Sequence, residues 1–140
     1  MIFRARRVIF FSFLGVEMYE VKVKKSFSGA HKLRGYRGKC EELHGHNWLV
    51  EVTVRAGDLD DIDIALDFAE LKVGLREVLA VLDHKYLNDV PPFDKVNPTS
   101  ERLAGYVFEQ MGKRINDDRV KVARVDVWET EENRASYFLE

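Results

Sequence analysis

Cys40-Glu41-Glu42-Leu43-His44-Gly45-His46-Asn47 runs directly into Trp48-Leu49-Val50-Glu51-Val52-Thr53-Val54-Arg55-Ala56. The second part alternates apolar and polar residues, the period of a half-buried strand, and predicts a β-strand from His46 to about Ala56. Trp48, Val50, Val52 and Val54 share one face with His44 and His46, while Glu51, Thr53 and Arg55 take the other. Two imidazoles at i and i+2 on an extended backbone lie about 7 Å apart along the strand, close enough to close on one metal ion. Gly45 has no Cβ and lets a third group approach. Cys40 lies just upstream, within reach of whatever the metal holds.

The chain has four histidines, His31, His44, His46 and His84, and one cysteine. Each signal has an ordinary reading when taken alone. A His-x-His pair is a short motif, a single Cys is often a small buried hydrophobe, and Asp83-His84 after a helix can be a terminal cap. Together they fit one site with three histidines as ligands and the fourth as a catalytic group. Three protein ligands are the pattern of a catalytic zinc rather than a structural one.

Working outward, Tyr19 to about Ala30 forms the preceding strand. Tyr19, Val21, Val23 and Phe27 alternate with Glu20, Lys22, Lys24 and Ser26, and His31 falls on the apolar parity at its end. The two strands form a hairpin across the Cys40 loop, and Gly57-Asp58-Leu59-Asp60-Asp61 is a turn. Lys32, Arg34, Arg37 and Lys39 place four cations in a glycine-containing loop. That loop is either a solvated connection or an anion site for a substrate phosphate. Asp67-Phe68-Ala69-Glu70 reads as a capping box, and Phe68, Leu71, Leu75, Val78, Leu79 and Leu82 follow helical spacing to about Asp83-His84. Asn88 and Pro91-Pro92 enforce a loop.

Thr99 is the N-cap of a second helix with Leu103, Val107 and Met111 as its stripe, and Gly112 to Asp118 breaks the pattern. A strand follows over about Val120 to Thr130, with Ala123, Val125 and Val127 alternating with Arg124, Asp126 and Trp128. Glu129 falls on the apolar parity, where a carboxylate is costly without a partner. Its partner is either an Arg or Lys of the chain or a ligand with paired N–H donors. A last strand spans about Ser136 to Leu139. The order β-β-α-α-β-β predicts an α+β fold: an antiparallel four-stranded sheet with both helices on one face. The other face carries apolar groups such as Trp128 and is expected to pack against other subunits.

The bulk properties agree with a single enzyme-sized domain. With 140 residues, 46% hydrophobic and 33% charged, the chain can bury about two-thirds of its unfolded surface. A net charge of −2 gives no basis for general nucleic-acid binding. One cysteine forms no internal disulfide and fits a reducing cytoplasm. Residues 1–17 stand apart. Basic Arg4, Arg6 and Arg7 precede the apolar run Val8 to Val16, which resembles a signal peptide but has no small-residue cleavage site and is too short to span a membrane. Met18 is an alternative start. The expectation is an extra strand, or an arm packed on a neighbouring subunit, followed by one domain over 18–140.

From about Met18 to the C-terminus the chain resembles the 6-pyruvoyltetrahydropterin synthase and 6-carboxytetrahydropterin synthase family. The resemblance rests on Phe27-Ser-Gly-Ala-His31, Cys40-x3-His44-Gly-His46-Asn47, Asp67-Phe-Ala-Glu-Leu-Lys72, Leu82-Asp-His-Lys-Tyr-Leu-Asn88, Pro98-Thr-Ser-Glu101 and Trp128-Glu-Thr130. It implies the tunnelling fold, whose sheets join between subunits into a barrel, and a homohexamer built as a dimer of trimers with active sites at subunit interfaces. It implies zinc on His31, His44 and His46, Cys40 as the proton-abstracting base, and Asp83 and His84 as its relay partners. Glu129 would anchor the pterin ring, with Thr99, Ser100 and Glu101 near it.

The implied substrate is 7,8-dihydroneopterin triphosphate. The Cys40-x3-His44 spacing and Leu87-Asn88-Asp89 resemble the 6-carboxy branch of deazapurine (queuosine or archaeosine) biosynthesis, which releases triphosphate and acetaldehyde. The alternative product is 6-pyruvoyltetrahydropterin, and a further alternative is a non-catalytic pterin-binding module. Two features depart from the family. Asp63-Ile-Ala-Leu66 replaces the usual Gly-Met before the Asp-Phe pair, and the N-terminal extension has no counterpart.

Overall fold

In the computed structural model, residues 15–38 and 41–140 are described. The strands are β1 (Tyr19–His31), β2 (His44–Ala56), β3 (Lys85–Tyr86), β4 (Val120–Trp128) and β5 (Arg134–Phe138). The helices are α1 (Phe68–Ala80) and α2 (Ser100–Ile115). The five strands form one sheet in the order β3-β1-β2-β4-β5. The four long strands are antiparallel neighbours, as their alternation predicts. The two-residue β3 adds a fifth strand, parallel to β1 at the edge. It is too short to carry a period and so leaves no sequence signal. No described helix is long and apolar enough to cross a membrane. The expected N-terminal strand or arm falls largely on residues 1–14, outside the described residues.

The β1–β2 hairpin runs in register from Tyr19 opposite Ala56 to His31 opposite His44. This pairing puts the two apolar parities on the same face, where Val23, Phe27, Trp48, Val50, Val52 and Val54 are all buried. Phe27 stacks on Trp48 with ring centres 6.0 Å apart. The two helices cover this face. Asp67 caps α1 by accepting the Ala69 N–H at 2.7 Å, and Thr99 caps α2 by accepting the Arg102 N–H at 3.2 Å. Leu71, Leu75, Leu103, Val107 and Met111 are fully buried between helices and sheet. Each contributes about 1.5–3 kcal/mol by leaving water. α1 packs on α2 at Gly74, where a Cβ would make only ordinary contact, 3.4 Å from Met111 Cε.

Three expectations need correction. Phe68 is 55% exposed rather than part of the α1 stripe, because it lies at the first helical position, beside the cap. Gly112 does not break α2, which continues to Ile115. A glycine inside a helix costs only about 1 kcal/mol, and the buried Met111 and Ile115 on either side hold the last turn. In β4 the strict alternation through Ala123 also fails. Thr53 pairs with Arg124 but Val54 pairs with Val122, so Ala123 is the extra residue of a β-bulge. Val120 and Val122 face the core before the bulge, and Val125 and Val127 face it after. Glu129, of the same parity as Val125 and Val127, continues onto the face of His44 and His46.

The opposite face of the sheet is a charged network. Asp126, 2% exposed, accepts from Arg124 Nε at 2.9 Å and from Ser136 Oγ. Lys24 Nζ and the Arg134 guanidinium lie 5.3 and 5.4 Å from the centre of the Trp128 ring.

Candidate metal centre and active site

The cross-strand pairing of His31 with His44 brings together residues 13 apart in sequence. His46 joins them from one strand turn further along β2. Ring centres lie 4.5 Å apart for His31 and His44, 4.8 Å for His44 and His46, and 5.3 Å for His31 and His46. One ligand atom of each falls within 4.8 Å of the other two. The Trp48 ring, 5.0 Å from His31 and 5.1 Å from His46, closes the site from the core side.

Proton accounting shows what this cluster suits. His31 Nδ1 lies 2.7 Å from the Pro98 carbonyl, and His44 Nδ1 lies 2.7 Å from the Glu42 carbonyl. A carbonyl only accepts, so each Nδ1 carries the proton and each Nε2 of the neutral ring presents a lone pair. Those two Nε2 atoms face each other at 2.9 Å. His46 Nε2 is buried without a hydrogen-bond partner. Burial disfavours the imidazolium and lowers the pKa of both His31 and His46, offset in part by the Pro98 carbonyl at His31 and by Glu129 at His46. Three converging imidazoles, with no proton between the closest pair, fit a divalent cation of zinc type.

Glu129 stands beside them. Its Oε1 is 3.4 Å from His46 Nε2 and its Oε2 accepts from Ser100 Oγ at 3.4 Å. A cleft of about 400 Å³ opens there, lined by Leu33, Tyr36, Thr99, Ser100, Glu101 and Glu129 among others. The structure therefore brings all four residues expected to hold a pterin to one opening next to the histidines. No lysine or arginine is recorded as an ion-pair partner of Glu129 among the described residues; its one pairing is with His46.

Asp83 and His84 also lie together. Asp83 Oδ1 is 2.9 Å from His84 Nδ1 and accepts the Ser28 N–H at 2.9 Å. The His84 N–H donates to the Ser28 carbonyl at 2.6 Å, and His84 adopts a left-handed φ of 56°. The Ser28 N–H holds the Asp83 carboxyl below its ordinary pKa, and His84 adds to the effect. A second cleft, of about 540 Å³, is lined by both His84 and His46. Cys40 lies outside the described residues, as does Lys39.

The basic loop differs from an anion site at one position. The Arg34 guanidinium donates to the carbonyls of Val96, Asn88 and Phe93 at 3.4, 3.3 and 3.0 Å. Both its terminal nitrogens are engaged by backbone, while all three of Lys32, Arg34 and Arg37 are exposed. Asn88, read from sequence as a loop former and part of the family motif, and Asn97, at the opening of the second helix, have a further role that no local pattern signals. Each makes a two-way hydrogen-bond pair with the backbone beyond β1.

Comparisons with known proteins agree with this arrangement. Residues 20–140 match the family model described as 6-pyruvoyl tetrahydropterin synthase. The chain is 30% identical over 122 residues to 6-carboxy-5,6,7,8-tetrahydropterin synthase of Aquifex aeolicus, covering 71% of this chain and 75% of that one. It is 35% identical over 109 residues to dihydroneopterin monophosphate aldolase of Pyrococcus furiosus, covering 78% of this chain and 88% of that one. The fold matches the structure of Caenorhabditis elegans 6-pyruvoyl tetrahydropterin synthase with a TM-score of 0.76 at 28% identity, over 89% of this chain and 98% of that one. With the family model spanning both helices, all five strands and every described residue of the site, the chain belongs to the 6-pyruvoyl tetrahydropterin synthase family of pterin enzymes.

Proposed function

We propose that this chain is a zinc-dependent 6-carboxy-5,6,7,8-tetrahydropterin synthase acting on 7,8-dihydroneopterin triphosphate. The observation that carries the reading is the convergence of the Nε2 atoms of His31 and His44 at 2.9 Å beside His46 Nε2, which makes no hydrogen bond and lies 3.4 Å from Glu129 Oε1. His31, His44 and His46 would hold the zinc, which supplies Lewis-acid polarisation of the oxygens on the substrate side chain. Glu129 accepts hydrogen bonds from the amide and amino N–H groups of the pterin, a charge-assisted two-point contact, with Thr99, Ser100 and Glu101 lining the same cleft. Cys40 removes a carbon-bound proton as thiolate, and His84, oriented by Asp83 Oδ1, relays protons.

The carbon count is closed by the products. Of three side-chain carbons, one remains as the carboxyl group and two leave as acetaldehyde. Triphosphate departs with the electrons of its C–O bond, and water supplies the second carboxyl oxygen. The Cys40-x3-His44 spacing supports this branch, and such a product feeds deazapurine biosynthesis of the queuosine type. The reading includes a cytoplasmic homohexamer with the charged sheet face turned toward neighbouring subunits. A second reading, 6-pyruvoyltetrahydropterin synthesis, is favoured by the likeness to the nematode enzyme.

The test is an assay of the zinc-loaded protein with 7,8-dihydroneopterin triphosphate, followed by mass spectrometry with aldehyde trapping. Acetaldehyde with a 6-carboxy pterin supports the proposal. A 6-pyruvoyl pterin with free triphosphate and no aldehyde moves the chain to the second branch. A phosphorylated two-carbon aldehyde moves it toward the chemistry of the archaeal aldolase.

A further inference from the structure

We propose that Asn97, acting with Asn88 and Arg34, is a positioning residue of the metal centre. Through the Pro98 carbonyl it holds the His31 ring in the one tautomer whose Nε2 faces His44. The inference rests on the reading of His31 as a metal ligand.

The argument begins where the sheet ends. The β1–β3 ladder stops at Ala30 opposite Tyr86. Beyond it two asparagine side chains continue the ladder. Asn88 Oδ1 accepts the Lys32 N–H at 3.0 Å while its Nδ2 donates to the Lys32 carbonyl at 2.9 Å. Two residues on, Asn97 repeats the pattern on Arg34, with both hydrogen bonds at 2.9 Å. The two-residue spacing is that of successive ladder positions along a strand. A side-chain amide can do this because it carries a donor and an acceptor on one planar group, as a peptide does. Arg34 then closes the clamp from the other side by donating to the carbonyls of Asn88, Phe93 and Val96.

The clamp binds the 88–98 loop to the residues that directly follow His31. Its last backbone group is the Pro98 carbonyl, adjacent to Asn97 and 2.7 Å from His31 Nδ1. His31 is only 1% exposed, so this carbonyl is the partner its Nδ1 proton has. If the loop drifts, the ring loses its acceptor and the Nε2 tautomer becomes available, which points a proton at His44. Outer-layer partners of ligating histidines act in this way, fixing ring orientation and basicity.

The test compares Asn97→Ala and Asn97→Asp with His31→Ala and a remote control, Asp117→Asn. Asp117 accepts from the Arg119 and Val120 N–H groups far from the site, so its loss loosens a turn without touching the centre. Zinc affinity is read by chelator competition, the visible band of the cobalt-substituted protein reports ligand geometry, and melting of the metal-free protein reports folding. Asn97→Ala and Asn97→Asp should weaken zinc binding by roughly ten- to hundredfold and alter the cobalt band. Asp117→Asn should lower the metal-free melting temperature and leave both metal readings unchanged. Unchanged affinity and an unchanged cobalt band in the Asn97 variants, with loss of zinc in His31→Ala, would overturn the clamp alone. Wild-type zinc affinity in His31→Ala would overturn the ligand set and the clamp with it. Should Asn97→Ala fail to fold, Asn97→Asp decides, since it keeps the acceptor for the Arg34 N–H and replaces the donor with a carboxylate oxygen that repels the Arg34 carbonyl.

Discussion

His31 and His44 stand directly across the β1–β2 ladder with their Nε2 atoms 2.9 Å apart, each ring already committed through Nδ1 to a backbone carbonyl. Two lone pairs converging in this way suit a shared cation, and the hairpin register is what sets them face to face.

Zinc binding should be lost with any one of the three rings. His44→Ala should lower the stoichiometry from about one zinc per chain to near zero, measured by elemental analysis after dialysis. Zinc at a thousandfold above its dissociation constant should stabilise the wild-type protein by about 4 kcal/mol and this variant by none. A variant lacking all three rings that still held one zinc would refute the centre.

Cys40→Ala should keep zinc and melting temperature and lose turnover. General-base removal of this kind costs about 10²- to 10⁴-fold in rate. Single-turnover assays on the zinc-loaded variant measure it. Wild-type turnover would discard the role of Cys40 while leaving the metal centre intact.

Glu129→Gln should raise KM or lower kcat/KM by about 10- to 100-fold, the worth of a charged hydrogen-bond acceptor facing two donors. Zinc content should not change. Isothermal titration with a pterin that lacks the side chain isolates this contact from the chemistry. Equal pterin affinity in both proteins would remove Glu129 from the substrate site.

Acid should act on the metal-free protein in two windows. His31 and His46 have folded pKa values lowered from 6.5, chiefly by burial. The unfolded chain takes up those protons first, so stability is full above 6.5 and falls as the pH drops below it. Asp83 and Asp117 are lowered from 3.8, chiefly by backbone N–H groups of Ser28 and Val120. Their contribution is present above 3.8 and is lost as the pH falls through the lower folded values. Thermal melts of the metal-free protein should fall between about pH 7 and 5, and a flat profile there would contradict the burial of the two rings.

Much of the site was legible before any coordinates. Period-two runs ending at His31 and beginning near His44 predicted a hairpin, and only registers of one parity keep both apolar sets on the same face. The cap residues Asp67 and Thr99 were readable because a helix start leaves N–H groups that a short oxygen-bearing side chain must satisfy. What local pattern could not carry was anything decided by a distant partner. The bulge at Ala123 is invisible in β4 alone, because alternation says nothing about which residue the neighbouring strand skips. That bulge lets Val120 and Val122 share the core face with Val125, Val127 and Glu129, whose common parity was already readable. Arg34 reads as one more cation in a basic loop until the 88–96 carbonyls arrive to take its donors.

The sequence by itself thus determined which chemical groups are available, on which strands and with which parity, because periodicity and capping are local consequences of backbone geometry. The tertiary structure alone decided which tautomer His31 and His44 adopt, what stands beside Glu129 and what Asn97 holds. Those outcomes depend on hydrogen bonds between segments such as Lys32 and Asn88, 56 residues apart, or Arg34 and Asn97, 63 residues apart, which no local preference encodes.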